Sequence, residues 1–383
     1  MSVTPSDSVR APAIAVTGFV VLVVAMGIGR FAFTPQLPLM IAEHQLTLTS
    51  AGLVASMNYL GYLLGAWDAM RARRFVVLRL WASLAGAIVL TLLSAALEGP
   101  WWHGLLRFAL GWTSAWSLVL IAAWSSERLA HCGRPALGAA VFAGPGAGIA
   151  ISGLLAPALS ALAFSAAQAW LVYGALALAL TLLVCRYLPR GQAHAASDSP
   201  SPPLHLSPAM KRLVISYSLA GFGYILPATF LSQMAAARFP ASLLAQFVWP
   251  VFGAASVLGI LLGIVTRHYL SASHRLALTL WGQAAGVLAA LLLPGIGGLA
   301  LGALLIGGGF LNVVQLALQC GRELAAQHGR YMAGLLTTGY AIGQLAGPLL
   351  SAISSWLTRQ LEPALYVAFL CLILAGLFVW PRK

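Results

Sequence analysis

Residues 13–40 read AIAVTGFVVLVVAMGIGRFAFTPQLPLM, an apolar run in which Arg30 is the single charged side chain. A helix of about 20 apolar residues spans the hydrocarbon core of a bilayer, and this run is long enough to do so. The whole 383-residue chain has the same character, with 60% hydrophobic and 8% charged residues. A soluble domain carries about 25% charged residues, so this composition excludes an ordinary globular protein.

Twelve apolar segments follow one another, and we expect each to be a transmembrane helix. Unbroken apolar runs exclude an outer-membrane barrel, whose strands alternate polar and apolar residues. Residues 189–210 are polar and rich in Pro, Ser, Ala and His, which predicts a flexible cytoplasmic linker. The sequence therefore predicts an all-α integral membrane protein with two six-helix bundles, residues 1–188 and 211–383. The segments lie near 13–40, 50–70, 76–97, 101–124, 136–162, 167–188, 211–234, 242–265, 276–294, 297–319, 331–355 and 364–381.

Basic residues predict the orientation of the chain in the membrane. The sequence holds 21 Lys and Arg against 8 Asp and Glu, and most of the basic residues fall in loops on one side of the predicted segments. The positive-inside rule makes that side cytoplasmic and places both termini there. This pattern accounts for the net charge of +13 without a nucleic-acid partner. We expect a multi-pass protein of the cell inner (plasma) membrane.

Motifs of enzymes and of ATP-driven pumps are missing from the sequence. It contains no P-loop, dinucleotide fingerprint, HExxH pair or plausible Ser-His-Asp set. The four cysteines are scattered without metal-ligand spacing. Histidines near the predicted loops, including His103, are expected to be solvated. We therefore expect no enzymatic activity, no catalytic residue, no metal and no cofactor.

Two arginines fall within or near the predicted spans. Burying Arg30 near the bilayer centre costs about 2.5–3.5 kcal/mol, so it needs a polar partner, a water-filled cavity or an anionic ligand. The guanidinium fork suits carboxylate or phosphate, which makes Arg30 and Arg107 candidate substrate-binding residues. Two alternatives remain open. Arg30 would bond backbone carbonyls freed by Pro35 or Pro38, and Arg107 would point to lipid headgroups.

Other polar side chains occur at helical spacing inside the segments. Polar faces in a membrane turn towards protein or a cavity, so these are also candidate substrate-binding residues, with interhelical hydrogen bonds as the alternative. No Asp or Glu lies well inside a predicted span, which favours an anionic or neutral substrate over a cation. The same absence leaves a coupled proton without an obvious carrier. The further candidates are Thr34, Asn58, Tyr62, Tyr224, Gln246, Trp249, Asn312, Gln315 and Gln344.

Glycine-proline pairs occur in corresponding segments of the two halves, Gly144-Pro145 in segment five and Gly347-Pro348 in segment eleven. They allow close helix packing and a local bend. Helices interrupted at matching positions are typical of transporter repeats, so we expect these four residues to take part in gating. The alternative is that membrane helices are simply rich in Gly and Pro.

These features together resemble the major facilitator superfamily over the whole chain. Residues 107–111 (RFALG) resemble its fourth-helix motif, and residues 144–148 (GPGAG) resemble part of the fifth-helix motif of exporters. Within the superfamily, residues 27–35 (GIGRFAFTP), 51–65 (AGLVASMNYLGYLLG) and 221–230 (GFGYILPATF) resemble the YbfB/YjiJ-type family. The resemblance implies the major facilitator fold and a transporter, without naming a cargo.

The loop after the second segment resembles the superfamily motif between helices two and three. Asp68 is followed by Ala-Met-Arg71-Ala-Arg73-Arg74, without the second glycine of the motif. The resemblance implies that Asp68 and these three arginines latch the inward gate. A plain positive-inside loop is the alternative.

The sequence thus favours a secondary active transporter that moves a small organic solute by alternating access. Arg30, and less firmly Arg107, would anchor an anionic group on that solute. Efflux is slightly favoured over uptake because of the glycine-proline pattern. We expect a monomer in the lipid bilayer, with a coupled proton or other ion left open. The alternatives are a passive channel, a cation or drug exporter, and a non-transporting lipid-modifying enzyme or sensor on a transporter scaffold.

Overall fold

The structure, a computed structural model, describes residues 5–71, 75–134, 137–190, 206–240, 242–325 and 328–381. These ranges are almost entirely helical and contain no strand. A π-helix, Val23–Ile28, continues the first α-helix, and 3₁₀ turns cover Cys185–Tyr187, Leu243–Phe247 and Thr266–His268. The α-helices are α1 (Pro5–Leu22), α2 (Phe33–Ala42), α3 (Leu48–Arg71), α4 (Val76–Leu93), α5 (Pro100–His131), α6 (Gly138–Phe142), α7 (Gly144–Ala161), α8 (Ala166–Val184), α9 (Pro208–Arg238), α10 (Val248–Val265), α11 (Ala272–Leu292), α12 (Gly295–Leu324), α13 (Gly329–Thr358) and α14 (Glu362–Val379).

Ten segments of the described chain are long and apolar enough to cross a membrane. Helices α3 and α13 are not among them, although they have 24 and 30 residues. Both helices are long enough to cross a membrane, but their polar side chains lower their mean hydropathy. These two helices also pack on one another across the two halves of the chain. The count of twelve membrane helices and their division into two bundles stay predictions.

Close glycine contacts recur at corresponding helix pairs in the two halves, α1–α8 and α9–α14. Helix α3 packs on α5 at Gly61, and α10 packs on α12 at Gly259. The π-helix packs on α7 at Gly27, and α9 packs on α13 at Gly221. At each of these glycines a Cβ atom would meet the backbone of the neighbouring helix. Small residues let membrane helices approach closely, so the same kind of glycine contact packs the helices within each half.

The glycine-rich start of α7 contacts a different helix on each face. Gly144 and Gly148 pack against the backbone of α1 and the π-helix, whereas Gly146 and Gly153 pack against α10. The fifth segment is interrupted here as expected, because α6 ends at Phe142 and α7 begins at Gly144. The eleventh segment is different, since Pro348 lies inside the continuous helix α13.

Three pairs of helices join the two halves: α2 contacts α9, α3 contacts α13, and α7 contacts α10. We call the end of the bundle where α2 ends and α3 begins the far side, and the opposite end, where α8 ends and α9 begins, the near side. On the far side Gly52 packs against the backbone of Pro348, and Thr49 shares a 3.1 Å hydrogen bond with Ser355. These contacts close the far end of the α3–α13 interface.

The α7–α10 contact generates a prediction about Gly253, where an added Cβ would meet the backbone of Ala150. Gly253→Ala should lower the stability of the purified protein by about 1–3 kcal/mol, because overpacking forces the helices apart. The matched control is Gly282→Ala in α11, where an added Cβ meets nothing within 4 Å. That control should be neutral or stabilising, since Ala is the better helix former. Equal melting temperatures for the two variants would contradict the close contact.

Candidate functional site

The first membrane segment changes its hydrogen bonding near its middle, and this change positions Arg30. The amide N–H of Gly29 donates to the carbonyl of Val24 at 2.8 Å, five residues back, instead of four as in an α-helix. Residues 29–32 form turns before α2 begins. Pro35 has no N–H to donate to Phe31, so one regular helical hydrogen bond is missing in this stretch. Interruptions of this kind are frequent at functional sites.

Arg30 lies in an aromatic cage and is only 4% exposed. Its guanidinium carbon is 3.9 Å from the ring centre of Tyr62, 4.9 Å from that of Tyr59 and 5.1 Å from that of Phe31. Nη2 donates a hydrogen bond to Oε1 of Gln344 at 3.2 Å, across the two halves of the chain. Nε is buried and finds no partner among the described residues. The guanidinium therefore keeps a donor free for another acceptor.

Gln344 connects Arg30 to a stack of aromatic rings in the second half. Its Nε2 donates to the hydroxyl oxygen of Tyr224 at 2.6 Å. The ring of Tyr224 stacks on Phe310 at 4.9 Å and lies nearly parallel to Tyr340 at 5.6 Å, and Tyr340 stacks on Tyr217 at 4.3 Å. A polar chain of three side chains, from Arg30 to Tyr224, thus crosses the interface between the halves.

A small cavity of about 10 Å³ lies beside Arg30, which is room for roughly one water molecule. On its far side the halves are joined by Tyr59 and Thr229, whose hydroxyls share a 3.3 Å hydrogen bond, and by Thr34, which donates to the carbonyl of Ala228 at 3.4 Å. The residues that line it are Arg30, Phe31, Phe33, Thr34, Ala55, Asn58, Tyr59, Arg107 and Thr229.

Arg107 lines the same cavity, but its hydrogen bonds go to the protein. Nη1 donates to the carbonyl of Gly29 at 3.2 Å, and Nη2 donates to the hydroxyl of Ser94 at 3.2 Å. The side chain is 1% exposed, and its guanidinium carbon is 4.7 Å from the ring centre of Trp170. Asn58 in turn donates to the backbone carbonyl of Arg107 at 2.8 Å. Both residues therefore hold the interrupted first segment and helices α3 and α5 in place.

The remaining candidates lie on α10, in the turn before it, or on α12. Trp249 is buried and stacks on Phe252 at 4.9 Å, which reaches the aromatic stack through Phe310. Gln246 lies in a 3₁₀ turn before α10 and is exposed. Asn312 donates to Thr279 at 3.3 Å and lines a different cavity, described below. Gln315 is half-buried on α12.

The predicted gating residues of the near side are only partly described. Asp68 accepts hydrogen bonds from Arg79 at 3.0 Å and from the indole of Trp116 at 2.8 Å, and so ties α3 to α4 and α5. Arg71 is exposed and lies 3.7 Å from the ring of Trp67. Arg73 and Arg74 lie outside the described residues.

One histidine corrects an expectation. His103, expected to be solvated, is fully buried, and neither ring nitrogen has a hydrogen-bond partner among the described side chains and backbone. Helix α5 begins at Pro100, within one residue of the predicted segment, so the physical reason is the helical face and not the start of the helix. His103 lies on the inward face of the first helical turn, one turn before Arg107, while Trp101 and Trp102 are exposed.

Sequence reasoning missed three contributors to the site. Tyr59 was detectable, because it lies three residues before Tyr62 and so shares its helical face. Thr229 falls inside the quoted stretch 221–230 but carries no signal of its own. Ser94 is a single serine near the end of a helix, and nothing in the sequence connects it with Arg107.

The bonds of Arg107 predict a role in stability. Arg107→Leu leaves the buried Gly29 carbonyl without a partner and should cost about 1–3 kcal/mol, and Ser94→Ala, which leaves Nη2 of the buried Arg107 without its acceptor, should cost a similar amount. Thermal unfolding of the purified variants measures both. An Arg107→Leu protein as stable as the wild type would show that the Gly29 bond does not support the fold.

Comparison with known proteins gives a family match over most of the chain. The model of a family described as "Uncharacterised MFS-type transporter YbfB" matches residues 22–380. No curated protein matches the chain in sequence.

Two solved structures share the fold at low sequence identity. A point mutant of the nucleoside transporter NupG has 15% identity and a TM-score of 0.73, covering 96% of this chain and 98% of its own. A bacterial homologue of the human lysosomal transporter Spinster, in an inward-facing and occupied conformation, has 13% identity and a TM-score of 0.71, covering 99% and 97%. Because the family model extends over nearly the whole sequence, the chain belongs to the YbfB family of MFS-type transporters.

Proposed function

We propose that this chain is a secondary active transporter that moves a small organic solute with an anionic group across the inner membrane by alternating access. One observation carries the proposal. Arg30 is a buried guanidinium at an interrupted membrane helix, held across the two halves by a neutral amide and left with a free Nε donor. Ionisable residues inside a membrane are expensive and usually functional.

The charge balance favours an anion. In the described part of the chain the salt bridges are Asp68 with Arg79, Glu362 with Arg238 and Glu127 with His131, and none involves Arg30. A carboxylate that replaced the Gln344 oxygen would place a negative charge opposite the guanidinium and accept two hydrogen bonds from it, a pairing that is stronger and more directional than one bond to a neutral amide. Arg107, whose Nε is also buried without a partner among the described residues, is less suited to this role because both of its terminal nitrogens already have acceptors.

A neutral solute is the second candidate. NupG is named as a nucleoside transporter, and a nucleoside carries no charge. The amide of Gln344 and the hydroxyls of Tyr59 and Tyr224 are suited to hydrogen-bond an uncharged polar molecule. The binding experiment below therefore compares carboxylates with neutral ligands.

The contacts between the halves support alternating access between residues 1–188 and 211–383, joined by the cytoplasmic linker 189–210. The hydrogen bonds described above between the halves lie at the level of Arg30 or on its far side. In this arrangement the far gate is closed. Release to the far side would require the α3–α13 contact to separate.

Orientation, direction and assembly complete the proposal. The basic loops support cytoplasmic termini in an inner membrane, which makes the far side the external side. We prefer efflux, on the basis of the glycine-proline interruption between α6 and α7. The protein acts as a monomer, and a coupled proton or other ion would supply the energy for uphill transport.

Arg30→Gln tests the anionic ligand. Small carboxylates should raise the melting temperature of the wild type in a concentration-dependent way. The variant should need about 10- to 100-fold more ligand for the same shift, because it loses a charged hydrogen bond worth about 1.5–3 kcal/mol. Thermal-shift titration with carboxylates, nucleosides and sugars measures this.

The matched control is Arg238→Gln, which removes an arginine that pairs with Glu362 at the far end of α9. It should respond to carboxylates as the wild type does. If neutral ligands stabilise the wild type and Arg30→Gln equally, and carboxylates stabilise neither, Arg30 has no role in binding an anion.

A cross-link tests the far gate. Thr49 and Ser355 are 3.1 Å apart at their hydroxyls, so paired cysteines at these positions should form a disulfide on oxidation. The cross-linked protein should lose transport of the carboxylate found by thermal shift, and a reductant should restore it. Each single-cysteine variant is the control. Undiminished flux through the cross-linked protein would rule out opening at α3–α13.

A further inference from the structure

A second cavity, of about 480 Å³, lies between α10 and α11 and shares no lining residue with the cavity at Arg30. Both helices pack on α12, which forms the floor of the groove between them. Gly282 and Gly308 line this groove without side chains to fill it. A space of this size is more than 40 times the volume beside Arg30, so it can accept part of an organic molecule.

The walls of the groove are leucines that face outward from the protein. Leu258 and Leu262 of α10 are 54% and 63% exposed, and Leu278 of α11 and Leu304 of α12 are 47% and 48% exposed. In a membrane protein such side chains meet lipid. Their spacing along three helices gives a continuous apolar channel that suits a hydrocarbon chain.

The near end of the groove is polar, which is unusual for a surface that faces lipid. Arg275 bridges α11 to α10 there, with Nη1 donating to the carbonyl of Gly263 at 2.8 Å. Its Nη2 donates to Gln319 at 3.3 Å, while Nε is buried without a partner among the described residues. The side chain is only 7% exposed. This places a permanent cation, with one unpaired donor, beside the near end of the apolar groove.

Two further polar side chains line the groove beside Arg275. Asn312 donates from Nδ2 to the hydroxyl of Thr279 at 3.3 Å, and its carbonyl oxygen lies against Gly263. Polar groups exposed to hydrocarbon are costly unless they are satisfied. A ligand with a polar head and an apolar tail would satisfy both parts of the groove.

We propose that this groove is a binding site for one anionic phospholipid. The phosphate lies at Arg275, and an acyl chain follows the leucines towards Gly282, which is about 10 Å further along α11. Charge complementarity selects an anionic headgroup, because Arg275 cannot be neutralised at ordinary pH. The site is separate from the proposed solute site and does not depend on the nature of the cargo.

A larger side chain in the groove tests the site. A Cβ added at Gly282 meets nothing within 4 Å, so Gly282→Leu should fill the channel without displacing the protein. The matched control is Gly297→Leu, which also adds a side chain in open space but lies outside the groove. The full-length protein in detergent is titrated with phosphatidylglycerol or with phosphatidylcholine of the same acyl chains, and thermal shift and native mass spectrometry are recorded.

Phosphatidylglycerol should raise the melting temperature of the wild type and of Gly297→Leu, with one tightly bound molecule in the mass spectrum. Gly282→Leu should need at least about tenfold more of it, a loss of about 1.4 kcal/mol in binding free energy. Gly308→Leu fills the groove from α12 and should behave like Gly282→Leu, which guards against a folding defect in one variant. Equal responses of all variants, or equal effects of the two lipids on the wild type, would overturn the proposal.

Discussion

A permanent positive charge inside a membrane-spanning segment is the constraint on which the site depends. Arg30 cannot be neutralised at ordinary pH, and its burial costs about 2.5–3.5 kcal/mol. Three aromatic faces and the amide of Gln344 offset part of that cost. The helix interruption that positions Arg30 frees the Gly29 carbonyl, which Arg107 then satisfies. One arginine is thus suited to a ligand, while the other supports the backbone beside it.

The bond between Arg30 and Gln344 also relates binding to movement. It joins the two halves, so in our proposal a ligand that replaces the amide changes an interaction between the parts that must separate. A ligand shifts a conformational equilibrium only through different affinities for the two states. Replacement of Gln344 supplies such a difference. The tightly packed glycine contacts within each half, by contrast, suit rigid units that move relative to one another.

The sequence was sufficient for the membrane class and the family, because these depend on composition and local motifs. Helical spacing also placed Asn58 and Tyr62 on one face of α3. It could not show which neighbouring helix that face meets. The sequence also could not show that the terminal nitrogens of Arg107 bond to Gly29 and Ser94 in the cavity beside Arg30, or that Asn312 lines another groove. His103 was misjudged because the sequence did not show which face of the first turn of α5 is buried.

The most direct test of the central claim is an experimental structure of the protein with a stabilising carboxylate bound. We expect density for the carboxylate at the guanidinium of Arg30, with Gln344 displaced from its present hydrogen bond. Ligand density at another place, with the bond between Arg30 and Gln344 intact, would contradict the claim and leave Arg30 as a structural residue.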